Sequence, residues 1–428
     1  MKKFNFYILL LVLLGVACAK EELKEPEVFI SNPAPGASFK VYDSIPVVIQ
    51  INSEEELNFL NIRLLNSSLI SVNPVFQKSI SGNSFTGLIQ YYISNKQLAD
   101  GNYFIAVTAG NNDVQKTAYK SISVQALPLQ LIGKFISVWS GSNSSILHLD
   151  SGTVFSTVGS ILGKSMGSAV NRDAGTIHFL TSQPEAIVNW SAIYQSMQWT
   201  MSCLGSFLPC ITNVSGNVNS ICASYREGLA RIINQQQITT ATLQSNEFGY
   251  PELSQQVDNF VLVEEWIPVN SERVLKKYFA HSGAGQSQQS VAYDVKAMLK
   301  VASNSILLVA EEGSNVKLLL YNLDNDFISS QNQILNESVL AAVSINQSRH
   351  LISTPNGIYE YQSDLNQYFL INGTPGITQM KYDPIESYVY AVSSSELKIY
   401  FYQNSTLQMV NSVIATDTIR SFDLIYNK

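Results

Sequence analysis

The feature that most constrains this chain is a period. From about Val218 to Lys428 an apolar run, a small polar turn and a second run ending in aromatics keep returning, as in Ile306 to Leu323, His350 to Gln362 and Val389 to Tyr402. A further strand-like run precedes each pair. Runs starting at 218, 257, 295, 339, 377 and 419 stand 39, 38, 44, 38 and 42 residues apart. Short β runs repeating about every 40 residues are what a β-propeller needs, one four-stranded sheet per blade. With a start near Met166 and a composite first blade, the count is seven, and six or eight stay open.

The composite blade comes from a shortage and a surplus. Gly133 to Trp139, Ser145 to Leu149 and Thr153 to Val158 are three strands without an inner partner, and Ile419 to Tyr426 is a strand without a blade. Pairing the two closes the ring and removes its open edges. The spacing from 166 to 218 exceeds the period by about a dozen residues, and the excess falls near Cys203 and Cys210.

From Glu27 to Gln125 the texture is antiparallel β with no helical period. Six or seven strands in about 100 residues is the arithmetic of an immunoglobulin-like sandwich. Asn32-Pro-Ala-Pro-Gly36 is a turn that removes ladder donors, and Pro128 marks the boundary between the two patterns. The fold class expected is therefore all-β: a sandwich over 27–125, then a propeller over 129–428.

Charged residues make up only 14% of the chain and the net charge is −7 with no basic block, so nothing draws it to nucleic acid. The first residues read as an address: Lys2 and Lys3, then an apolar stretch from Phe4 to Leu14 that is too short to span a bilayer, then Gly15-Val-Ala-Cys18. This resembles a bacterial lipoprotein signal over 1–17, with Cys18 the lipid-attachment residue and 18–26 a tether. Ala19-Lys20-Glu21-Glu22 is similar to the charged tag of Bacteroidota-type surface lipoproteins, which implies an outer-membrane protein facing outward. The "NPAPGASF" turn and "LADGNYFIAVTA", with Tyr103 placed as a tyrosine-corner residue, resemble bacterial Ig-like modules. The repeats resemble the WD- and YVTN-like propellers of bacterial envelopes, although no copy ends in Trp-Asp.

Candidate chemistry is sparse. In an oxidising compartment Cys203 and Cys210 are a possible disulfide, with Cys222 open as an alternative partner. Gly159 to Ser165 has three residues between its glycines where a phosphate loop needs four, and it reads as a turn between blades. No Gly-x-Ser-x-Gly elbow occurs. The four histidines, His148, His178, His281 and His350, are scattered, and no cysteine spacing matches a metal site, so neither metal nor cofactor is expected. Glu311-Glu312 and Asp324-Asn-Asp326 read as solvated turns sooner than calcium sites.

Loops joining second to third strands, and last strands to the next blade, share one mouth of a propeller. Reading the period forward puts Gln236, His281, Glu311, Asn356 and Glu396 there with the Cys203–Cys210 insertion, and Asp173, Glu272 and Glu386 on the opposite side. Loops on a rigid scaffold carry function more often than the scaffold does. The expected function is a membrane-anchored binding or scaffold protein, without enzymatic activity, that holds a protein or glycan partner. The alternative is a propeller-type glycoside hydrolase or polysaccharide lyase, which needs paired carboxylates at the mouth.

Overall fold

The computed structural model describes residues 23–150, 154–203 and 209–428. The lipoprotein signal with Cys18 therefore lies outside the described residues. Every regular element among those described is a strand, and the chain separates into two compact units, Met1–Pro128 and Leu129–Lys428.

The first unit holds two sheets. One has three strands, Glu27–Asn32, Ser44–Asn52 and Ser84–Tyr92; the other has five, with Gly101–Gly110 and Gln115–Gln125 at its centre. Alternation decides which side chains turn inward: in Ser44–Asn52, Ile45, Val47, Ile49 and Ile51 are fully buried and the residues between them are not. They pack against Leu60, Ile62, Leu64, Ile105 and Val107 of the five-stranded sheet. The hydroxyl of Tyr103 donates to the Ala99 carbonyl four residues upstream, 3.0 Å away. Tyr91 is buried, and its hydroxyl accepts from the Leu64 amide and donates to the Pro74 carbonyl, which gives each polar group a partner inside the core.

Among the described residues the second unit holds seven four-stranded antiparallel sheets. Their innermost strands are, in order around the ring, Ile419–Tyr426, Lys164–Asn171, Ile211–Gly216, Tyr250–Val257, Asp294–Ala302, Ala341–Ser344 and Gln379–Asp383. Each innermost strand approaches the next, and Gln379–Asp383 in turn approaches Ile419–Tyr426, so the ring is closed. The last strand of the chain pairs antiparallel with Leu131–Ser140, Ile419 opposite Val138 and Phe422 opposite Ile136. This supplies the inner strand whose absence near Gly133 marks the sequence.

A separate apolar cluster fills each gap between neighbouring sheets. The middle strands are buried on both faces and read as continuous apolar runs, Ser305–Glu312 (SILLVAEE) being the clearest. Innermost strands border the channel and carry more polar residues, as in Ile211–Gly216 (ITNVSG) and Tyr250–Val257 (YPELSQQV).

That contrast corrects the phase of two repeats. The third and fourth sheets begin at Ile211 and Tyr250, one strand before the starts at 218 and 257 that the apolar pattern suggests. An apolar period fixes on the second strand wherever the first faces the channel and lacks an apolar face. Gly159 to Ser165 is the passage from the outermost strand of the first sheet to the inner strand of the second. Gly163 sits there at φ +90° with the Ser182 carbonyl 2.8 Å from where a Cβ would stand, so a side chain is excluded.

Candidate functional site

The ring has two end faces. On the upper face lie the turns between second and third strands and the passages from sheet to sheet. The lower face carries the turns between first and second strands and between third and fourth.

Glu311, Asn356 and Glu396 stand at second-to-third-strand turns, on the upper face as expected, and so does the passage held by the Cys203–Cys210 disulfide, whose Cα atoms are 6.4 Å apart. Residues 204–208 of that passage lie outside the described residues. Cys222 is buried and free, and burial pushes its thiol up to about 11. Gln236 and His281 are corrected: each sits between a third and a fourth strand, on the lower face. Glu272 is corrected in the other direction, since it opens a third strand on the upper face, while Asp173 and Glu386 are on the lower. The five residues expected at one mouth are therefore divided three and two, because the shifted phase of the third and fourth repeats exchanges their ends.

On the upper face the three expected side chains are already engaged. Glu311 accepts from the Val339 amide at 2.5 Å and lies 3.6 Å from Lys296. Asn356 donates to the buried Glu337 at 2.7 Å, and Glu396 accepts from Ser412 and faces Lys398 at 3.5 Å. The neighbouring Glu312 is also paired, with Lys317 at 2.9 Å; at the opposite end of the same sheet Asp326 pairs with the buried Lys277 at 2.5 Å.

Beside Glu311 lies the strongest charge cluster. Glu252, Glu264 and Asp294 each place a carboxylate oxygen within 4.8 Å of the others, as a cation site would. The Arg273 guanidinium occupies that place: it bonds Glu252 at 2.7 Å, reaches Asp294 at 3.3 Å and pairs with Glu264. Glu264 is wholly buried, and burial pushes its carboxyl up to about 7 against the opposing pull of Arg273. A carboxyl sealed from solvent and held by an arginine cannot meet a substrate, so this is an ion-pair network joining the fourth and fifth sheets. A cavity of about 510 Å³ also opens on the upper face, with Met166, Leu180 and Ile211 in its apolar wall.

The lower face is different. Three clefts open side by side around the turns of the third sheet. One, about 260 Å³, lies between the second and third sheets and takes Gln236 on its rim. A second, about 270 Å³, lies between the third and fourth sheets, lined by Asn219, Asn234, Asn259 and His281 among others. The third, about 300 Å³, draws Arg172, Asn217, Gln255 and Lys300 from four consecutive sheets and so opens toward the axis. Gln256 and Asp258 line both the second and the third. Lys300 holds both oxygens of Asp258 at 2.7 Å, so the floor is rich in side-chain amides, with Arg172 as the remaining charge at the third cleft.

Sequence reasoning missed Thr176, Asn189 and Trp199 in the first of these clefts. The available signal was a polar residue inside a strand buried throughout, Asn189 in Ala186–Ser191 (AIVNWS).

No family model matches the chain, and no curated protein matches it. Solved structures do. A protein from Lactobacillus plantarum is similar with a TM-score of 0.56 at 12% identity, over 69% of this chain and all of that one. The β-propeller domain of Cps50 (Swd1) from Myceliophteria thermophila is similar with a TM-score of 0.50 at 10% identity, over 63% of this chain and 94% of that one. A quinonprotein alcohol dehydrogenase-like protein from Bacteroides thetaiotaomicron has a TM-score of 0.48 at 13% identity, over 94% and 99%.

The ring is a β-propeller. Identities this low speak to the fold and not to what the fold carries.

Proposed function

We propose that this chain is a membrane-anchored binding protein, lipidated at Cys18 and exposed on the outer membrane, that holds an uncharged polar partner on the lower face of a seven-bladed propeller. In this reading the first unit is an Ig-like spacer, supported by its two facing sheets and by the bond from Tyr103 back to Ala99.

The observation that carries the reading is the run of three clefts around the third sheet. Each amide offers a donor and an acceptor, and the first two clefts hold no cation and the single carboxylate of Asp258, which Lys300 neutralises; Arg172 adds one positive charge at the third. Such a surface suits a glycan or a polar protein loop. On the upper face Glu311, Asn356 and Glu252 are already bonded within the propeller.

The test compares the faces. The full chain is screened against a glycan array, and alanine variants at Asn219, Gln256 and His281 are set against variants at Glu311, Asn356 and Glu396. Losses above ~1 kcal/mol confined to the first set support the reading. Losses confined to the second set would refute it.

A further inference from the structure

The cleft between the second and third sheets differs from its neighbours in what lies at its floor. One face of the second sheet carries a row across all four strands: Ala169 opposite His178, His178 opposite Asn189, and Asn189 opposite Trp199. Toward the upper face the same side of this sheet is apolar, with Leu180, Ile187 and Met201 packed against the third sheet. Toward the lower face it turns polar, with Thr176, His178, Asn189 and Ser191, all 3% exposed or less.

Buried polar atoms are almost always hydrogen-bonded, because leaving one unpaired forfeits its solvation. Here neither the amide nitrogen nor the amide oxygen of Asn189 has a partner, and the Thr176 hydroxyl has none. Both residues line the 260 Å³ cleft. At the base of the cleft an unpaired donor and acceptor on one amide thus lie with one unpaired hydroxyl, that of Thr176.

The walls are aromatic. Trp199 and the exposed Tyr194 flank the cleft, and Gln235 and Gln236 close it from the third sheet. Trp199 is fixed in place: its indole N–H donates to the Gln235 carbonyl at 2.9 Å, and its ring packs on His178 with centroids 5.3 Å apart. Burial holds the His178 imidazole down to about 3, so the cleft contains no titrating charge near neutrality. Its volume is below the ~300–1,000 Å³ of pockets for drug-sized ligands.

We propose that this cleft is a saccharide subsite that takes one neutral sugar ring. Trp199 and Tyr194 meet the ring's C–H face, and the Asn189 amide and Thr176 hydroxyl pair with adjacent ring hydroxyls. A sugar combines an apolar face with neighbouring groups that both donate and accept, which is what an aromatic wall beside an unpaired amide requires. This inference rests on the lower-face reading and narrows its partner to a glycan.

The test is saturation-transfer NMR of the full chain in detergent micelles with a panel of neutral methyl glycosides, N-acetylated sugars and an acidic uronide. The expected result is transfer to at least one neutral sugar. Its affinity should fall about tenfold or more in Asn189→Ala and Trp199→Ala, and fall measurably in Tyr194→Ala and Gln236→Ala, whose exposed side chains are not needed for folding. No transfer to any neutral sugar would mean that the cleft holds water alone, and would overturn the proposal, as would a preference for the uronide. Sugar binding that is lost in His281→Ala or Gln256→Ala but kept in all four cleft variants would overturn this subsite while leaving the lower-face reading intact.

Discussion

The hydroxyl of Ser137 lies 2.7 Å from that of Ser421, both fully enclosed, although 284 residues separate them in sequence. Ser137 also donates to Ser165 at 3.0 Å, so a chain of three serines runs from the last strand through the first sheet to the second. The last strand is tied on its other side as well, with Tyr426 donating to Asp383 at 3.0 Å and Asp423 3.5 Å from Lys381. The seam of the ring is thus fastened by side chains as well as by the ladder.

Deleting residues after Thr418 should unfold the whole ring. The last strand buries Ile419, Phe422, Leu424, Ile425 and Tyr426. At ~1.5–3 kcal/mol each, their loss is on the order of 10 kcal/mol, comparable with the entire stability of a domain. A truncated chain that melts with the parent's midpoint would show that the closure is dispensable.

Removing Arg273 should cost more than removing its partner. Arg273→Leu leaves Glu264 buried without its cation, a change expected to destabilise by ~3–5 kcal/mol in urea unfolding. Adding Glu264→Leu to that variant should recover a large part of the loss. Failure of the double variant to recover would mean that the stranded Glu264 carboxylate is not the source of the loss.

Acid should weaken the fold through two histidines. Burial lowers His178 to about 3 and His350 to about 4, while the unfolded imidazole takes its proton near 6.5. Their contribution is therefore complete above that pH and is lost as pH falls, at about 1.4 kcal/mol per pH unit for each. Glu264 acts in the opposite sense: raised to about 7, it stabilises below its unfolded value and loses that contribution as pH rises toward 7. Between about 4.5 and 6.5 it offsets one of the two histidines. Melting curves across this range should be flatter in His350→Gln and steeper in Glu264→Gln than in the parent. Parallel curves for all three would contradict these assignments.

Cys18→Ser should abolish metabolic labelling with palmitate and leave the chain unprocessed or released. Protease treatment of intact cells should remove the lower-face epitopes from the parent. Acyl labelling that persists in the variant would rule out Cys18 as the anchor.

A repeat near 40 residues is legible in the chain because middle strands buried on both faces must be apolar, and the turns between them must not be. The unpaired run at Ile419 and the shortage at Gly133 are legible for the same reason, since every four-stranded sheet needs its inner member. The phase of the third and fourth repeats was not legible. Ile211–Gly216 and Tyr250–Val257 border a channel, and no apolar alternation sets them apart from a loop. That one-strand shift decided on which face Gln236 and His281 stand. The partners of Glu311, Asn356 and Arg273 were hidden for a different reason: an ion pair or an amide bond between residues tens of positions apart depends on strand register and packing, which a linear pattern does not encode. Asn189 shows the division most plainly. Its sequence context says only that a polar residue sits in a buried strand. Whether that amide meets another side chain or an open cleft beside Trp199 was decided by how the third sheet packs against the second.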